Sequence, residues 1–187
     1  MKNKIISLLA NLFLFFLFTS QLFASEQAWN IAQEGNKIIF IRHSLAPGGG
    51  DPAGFKIDDC KTQRNLNRVG INQSKKIGKL FKQYKVPVDQ VLSSQWCRCK
   101  DTAKYAFGDY KEFRALNSTF QSPYNKNEGK QLKELYSFVK QWNGKGKNLV
   151  LITHYSIITA VTNSVPSSGE IVIANKNFKV LETIQTN

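Results

Sequence analysis

His43 and His154 are the only two histidines in this 187-residue chain, and each stands directly after an apolar run. Arg42-His43 follows Lys37-Ile38-Ile39-Phe40-Ile41, and His154 follows Leu149-Val150-Leu151-Ile152-Thr153. A third short run, Val91-Leu92, leads into Ser93-Ser94 and then Arg98. Neutral imidazole is available near pH 7 and accepts a phosphoryl group covalently. Arginine stays ionised and its planar fork donates paired hydrogen bonds to phosphate oxygens. Two histidines and two arginines gathered at one place would therefore suit phosphoryl transfer, in which positioning and charge stabilisation supply most of the catalysis.

Whether they gather depends on the elements that carry them. Short β-branched and aromatic runs bounded by turn residues read as buried strands, and open α/β sheets hold ligands beyond the carboxyl ends of their strands. Helical spacing starts near Asn67, carries Val69, Ile77, Leu80, Phe81 and Tyr84, and stops before Pro87. Val88 to Ser94 reads as a strand, Trp96 to Phe107 as a helix bringing Arg98 back over the site, and Phe113 to Leu116 as a third strand. Gln131 to Trp142 is amphipathic through Leu132, Leu135, Phe138 and Val139. The His154 strand follows, then a short helix over Ile157 to Val161 and two final strands, Glu170 to Ala174 and Lys179 to Ile184. Strands alternating with helices imply an α/β fold: a three-layer α/β/α sandwich on a mostly parallel central sheet. No repeat or low-complexity tract interrupts it, so residues 25–187 read as one domain.

Arg42-His43, Ser93-Ser94-x-x-x-Arg98-x-x-x-Thr102-Ala103 and Thr153-His154, in that order, resemble the histidine phosphatase superfamily, the clan of phosphoglycerate mutases and acid phosphatases. The resemblance runs from Lys37 to about Ile184. It implies a phosphoglycerate mutase-like fold, phosphorylation of His43, a clamp of Arg42 and Arg98 on the phosphate, and His154 completing the pocket, with no cofactor and no metal. Two departures stand out. The usual Arg-His-Gly is Arg42-His43-Ser44, and the region of the usual general-acid glutamate reads Leu116-Asn117-Ser118-Thr119-Phe120-Gln121, with no carboxylate. Asp51, in the loop Ser44 to Pro52 that holds Gly48-Gly49-Gly50, is the substitute expected here, and Glu170 is the second choice. Arg64 and Ser44 are expected at the substrate's rim.

Composition narrows the partners. The formal net charge is +13, yet the lysines are spread along the chain without an aromatic-interleaved stripe, so the charge reads as a surface favouring anionic substrates rather than nucleic acid. Lys2 and Lys4, the apolar stretch from Ile5 to Phe18 and Leu22-Phe23-Ala24 follow the pattern of a secretory signal peptide over residues 1–24. The stretch is shorter than the roughly 20 residues of a membrane span; an uncleaved anchor is the alternative. In an exported chain, Cys60 is expected to pair with Cys97 or Cys99, while Cys97-x-Cys99 as a redox or metal pair has the wrong spacing for the usual motifs. The resulting expectation is a periplasmic or secreted phosphatase acting on a small phosphorylated substrate, a sugar phosphate or an envelope phosphate ester. A phosphomutase and a catalytically weak phosphate-binding protein are the alternatives on the same pocket.

Overall fold

The computed structural model of the chain describes residues 26–186; the expected signal peptide, residues 1–24, lies outside them. Six strands form one sheet, β1 (Ile38–Arg42), β2 (Val88–Ser93), β3 (Lys111–Glu112), β4 (Asn148–Thr153), β5 (Ile171–Ala174) and β6 (Val180–Ile184). Their spatial order is β3-β2-β4-β1-β5-β6. The first four run parallel, β5 pairs antiparallel with β1, and β6 pairs antiparallel with β5 at the edge, so β5 alone runs against the rest. The mostly parallel sheet expected from the alternation of elements is therefore present.

Alternation along the buried strands divides two cores. Ile39 and Ile41 of β1, with Val91, Val150, Ile152 and Ile173, face α1 (residues 26–33), α2 (Arg68–Gln83) and α3 (Cys97–Phe107). Ile38 and Phe40, with Leu92, Leu149, Leu151 and Val172, face α4 (Glu128–Gln141) and α5 (Tyr155–Thr162). Period-two side-chain direction thus makes every central strand apolar on both faces, as a covered parallel sheet requires. Helices α2 and α3 approach closely because Gly78 has no side chain: a Cβ there would lie 2.1 Å from the Ala106 carbonyl oxygen.

One expected strand is corrected. Phe113 to Leu116 is not a strand; β3 ends at Glu112 and Arg114–Leu116 forms a 3-10 turn. Ala115 and Leu116 are buried under the sheet's carboxyl edge, and the Leu116 carbonyl accepts from Thr153 Oγ1 at 2.6 Å. A four-residue apolar run fits a strand or a tucked turn equally well, and here the tertiary contact decides.

Candidate functional site

Strand register brings the chemistry together. In β1 and β4, Arg42 lies opposite Thr153, so the next residues, His43 and His154, leave the sheet side by side. Ser93 of β2 is opposite Ile152, which puts Ser94 in the same row. The ladder continues one step past the strand ends through His43 N–H to the Thr153 carbonyl (2.9 Å) and Ser94 N–H to the Ile152 carbonyl (2.9 Å). The two imidazole rings end 5.4 Å apart, centroid to centroid.

The His43 ring is oriented by the residue after it. Its Nδ1 lies 2.8 Å from the Ser44 carbonyl oxygen. A carbonyl only accepts, so the ring proton sits on Nδ1 and the lone pair for attack is on Nε2. Burial, then the charges of Arg98, Arg64 and Arg42, push the His43 pKa well below the ordinary histidine value, outweighing the Ser44 hydrogen bond. The ring is therefore neutral near pH 7, as a nucleophile must be.

His154 is held through its other nitrogen. Nε2 lies 2.9 Å from Ser94 Oγ and 3.4 Å from Cys99 Sγ. Burial pushes the Cys99 thiol up to about 12, so it stays protonated beside the ring. Burial first, and Arg98 second, also lower the His154 pKa well below its usual value.

Three guanidiniums converge on the same cavity, a recess of about 100 Å³ lined by Arg42, His43, Gly48, Gly49, Gly50, Arg64, Arg98, Ser118, Phe120, Gln121, His154 and Tyr155. That is well below the roughly 300–1,000 Å³ of pockets that enclose a whole drug-sized ligand, and it suits a single small anionic group. Arg42 donates from Nη1 to the Pro166 carbonyl at 2.8 Å and lies over the Tyr155 ring. Arg64 donates from Nε to the Gly50 carbonyl at 2.6 Å and from Nη1 to the Ala46 carbonyl, clasping the glycine loop. Burial lowers the pKa of Arg42 and of Arg64, and the Arg98 charge adds to this. Arg42 Nε and Arg98 Nε are buried without an acceptor among the described residues. Crowded like charges and orphaned donors both destabilise the site, and a dianion seated among them offsets both.

Asp51 occupies a position different from the expected one. A single Nη1 of Arg98 reaches both its carboxylate oxygens, at 2.8 and 3.1 Å, with the two side chains 3% and 2% exposed. Trp96 Nε1 donates to Oδ2 at 2.9 Å and Arg64 N–H to Oδ1 at 3.0 Å. Burial alone would raise the Asp51 pKa, but the Arg98 bonds and charge and these further donors bring it below the ordinary carboxylate range. A carboxylate held ionised by four contacts is a poor proton donor. Asp51 is the anchor that aims Arg98, and the acid role expected of it is corrected accordingly.

Ser44 and Glu170 also differ from expectation. The Ser44 side chain is fully buried, accepting from Ser74 Oγ at 2.8 Å while its N–H donates to Thr102 Oγ1, so it orients His43 through its carbonyl rather than touching a substrate. Glu170 is 7% exposed, accepts from Ser167 N–H at 2.7 Å and does not line the cavity; its backbone carbonyl accepts from Arg42 N–H. Both carry the loops behind Arg42 and His43. Arg64, by contrast, lies in the cavity wall. The residues that sequence reasoning missed are Tyr155, which only its place after Thr153-His154 marks out, and Phe120 and Gln121, from the segment noted solely for lacking a carboxylate. Gln121 Oε1 accepts from Asp51 N–H at 2.8 Å, and it needs Gly50 beside it: at φ +68° a Cβ there would lie 2.8 Å from that oxygen.

Cys60 pairs with Cys97, and Cys99 is the free, buried cysteine. The bond fastens the segment between the glycine loop and α2 to the start of the helix that bears Arg98.

No family model matches the chain, and no curated protein matches it significantly by sequence. Solved structures do. The protein histidine phosphatase SixA, solved with tungstate, superposes with a TM-score of 0.54 at 14% identity, over 80% of this chain and 97% of its own. Phosphoglycerate mutase from Thermus thermophilus gives 0.54 at 14% identity over 81% and 99%, and the Rv3214 protein of Mycobacterium tuberculosis 0.56 at 13% over 81% and 96%. The chain shares the fold of these proteins, a phosphoglycerate mutase-like α/β sandwich. Within that phosphoglycerate mutase-like frame, the sheet edge that carries His43 and His154 is the ligand-holding edge of an open α/β sheet.

Proposed function

We propose that the chain is an exported phosphatase that hydrolyses phosphate monoesters through a phosphohistidine at His43, without a metal. The observation that carries this reading is the His43 ring itself: proton on Nδ1, neutral, with Nε2 left for a recess walled by Arg42, Arg64, Arg98 and His154. Nε2 attacks phosphorus, the P–O bond to the alcohol breaks, and the three guanidiniums hold the equatorial oxygens while charge develops on them. The neutral His154 ring completes the wall of the recess. Water then attacks phosphorus, the P–N bond breaks, and inorganic phosphate and neutral His43 are restored. The solving of SixA with tungstate, a tetrahedral oxyanion, agrees with an oxyanion site on this fold.

Hydrolysis is favoured over phosphoryl return to a second substrate because the rim is open: Pro47, Gly48, Gly49 and Phe120 are all exposed. Metal independence rests on the charge of the pocket, since three guanidiniums around two imidazoles repel a cation. Among the described residues no cluster of three or more His, Cys, Asp or Glu side chains stands ready to hold one. Export is supported by the Cys60–Cys97 disulfide, which persists in oxidising compartments; no helix among the described residues is long and apolar enough to cross a membrane. The test is hydrolysis of p-nitrophenyl phosphate in EDTA, beside His43→Ala. Turnover by the native protein, abolished in the variant, supports the proposal; turnover that persists in His43→Ala, or that EDTA removes, refutes it.

A further inference from the structure

The cavity has an aromatic lip that phosphoryl transfer itself does not use. Phe120 is 54% exposed yet lines the recess, and its ring centroid lies 5.6 Å from that of Tyr155, which lines it too. The Arg42 guanidinium also lies over the Tyr155 ring, 5.4 Å from its centroid. A ring pair therefore begins at the phosphate clamp and extends outward to solvent. The recess admits a phosphoryl group and little more, so the remainder of a bound ester lies outside it, within reach of this lip. A half-exposed phenyl ring beside a binding cavity offers a flat apolar contact that a planar aromatic ring satisfies by stacking or edge contact.

A second, independent observation limits the leaving group. No carboxylate is among the residues lining the cavity, and Asp51, the carboxylate bonded to the lining Arg98, is held ionised by it. Without a proton supplied by the enzyme, the departing oxygen must leave as an anion. Phenol-type hydroxyls ionise near pH 10, against roughly 16 for water-like hydroxyls, so an aryl oxygen departs unaided far more readily. Arg42 and Arg64 beside the lip stabilise the phenolate as it forms.

Resting on the phosphatase reading above, we infer that the substrates are aryl phosphate monoesters, whose ring is received by Phe120 and Tyr155. The leaving phenolate takes the electron pair of the broken P–O bond, and the proton released when water cleaves phosphohistidine neutralises it. Net, the aryl phosphate and water give a phenol and hydrogen phosphate.

The experiment compares phenyl phosphate with hexafluoroisopropyl phosphate, whose alcohols are of similar acidity, so that a preference reports the ring and not the reactivity. The native protein should favour phenyl phosphate in kcat/KM. Phe120→Ala should lower the phenyl value about tenfold more than the alkyl value, and Phe120→Tyr should restore it. A phosphotyrosyl peptide run alongside tells a protein-borne aryl phosphate from a small one, and either being turned over supports the inference. Equal use of the two esters by the native protein, or an equal effect of Phe120→Ala on both, would overturn it while the phosphatase reading stands. Turnover of none of them by the native protein would remove the phosphatase reading itself.

Discussion

Asp51 and Arg98 show how one ion pair decides what a residue does. With both side chains almost fully buried, removing one partner leaves an uncompensated charge, a loss of about 3–5 kcal/mol. Asp51→Asn should therefore lower stability on that scale and reduce turnover of good and poor leaving groups alike, since what is lost is the aim of Arg98. A general acid would behave differently, with loss concentrated on esters of poorly acidic alcohols, so kinetics on a leaving-group series separates the roles. The histidines provide a second prediction at this scale. Their native pKa values are lowered, so below about pH 6.5 the unfolded chain binds protons that the folded chain refuses. The unfolded state then holds more protons, and stability falls as pH drops through and below that value, by up to about 1.4 kcal/mol per pH unit per histidine. A thermal melt series should show the decline starting near pH 6.5, above the carboxylate range. Because the chain has only two histidines, a flat profile between pH 7 and 5 would contradict buried neutral rings at this site.

At the scale of elements, the parts legible in the sequence were those governed by backbone pairing. Arg42, His43, Ser94 and His154 follow strands whose apolar runs are plain, and parallel register carries them to one edge whatever their side chains do. Side-chain direction across long separations was not legible. Asp51 in a glycine-rich loop looked free to face a substrate, and only the folded positions of Trp96, Arg98 and Gln121 turn it inward. Glu170 was misplaced for the same reason, and Phe113 to Leu116 was read as a strand because a short apolar run does not reveal whether it pairs or tucks. The disulfide pairing was narrowed to two choices, and α3 decides between them: Cys97 meets Cys60, while Cys99 faces His154. Closing a loop across a separation of 37 residues contributes about 3–4 kcal/mol in the chain-entropy account. The double variant Cys60→Ser, Cys97→Ser should melt about 10 °C lower and lose activity disproportionately, because Arg64 and Asp51 lie on the released segment and Arg98 adjoins Cys97. Native melting and activity after reduction would contradict a fastening role for the bond.

For the whole molecule, the parallel sheet gathers two neutral imidazoles and three guanidiniums at one end of two separate apolar cores, and the chain's excess of positive charge favours anions approaching that end. The exposed rim leaves the recess open to water. All of this converges on the Nε2 atom of His43 as the point of covalent attachment. The direct measurement is rapid quench of the protein with an aryl phosphate, followed by mass mapping of the trapped phosphoenzyme under alkaline conditions. The account predicts one phosphoryl group per chain, acid-labile and located on His43, and none in His43→Ala. Phosphate located on His154 or on a serine, or steady turnover with His43 substituted, would contradict it.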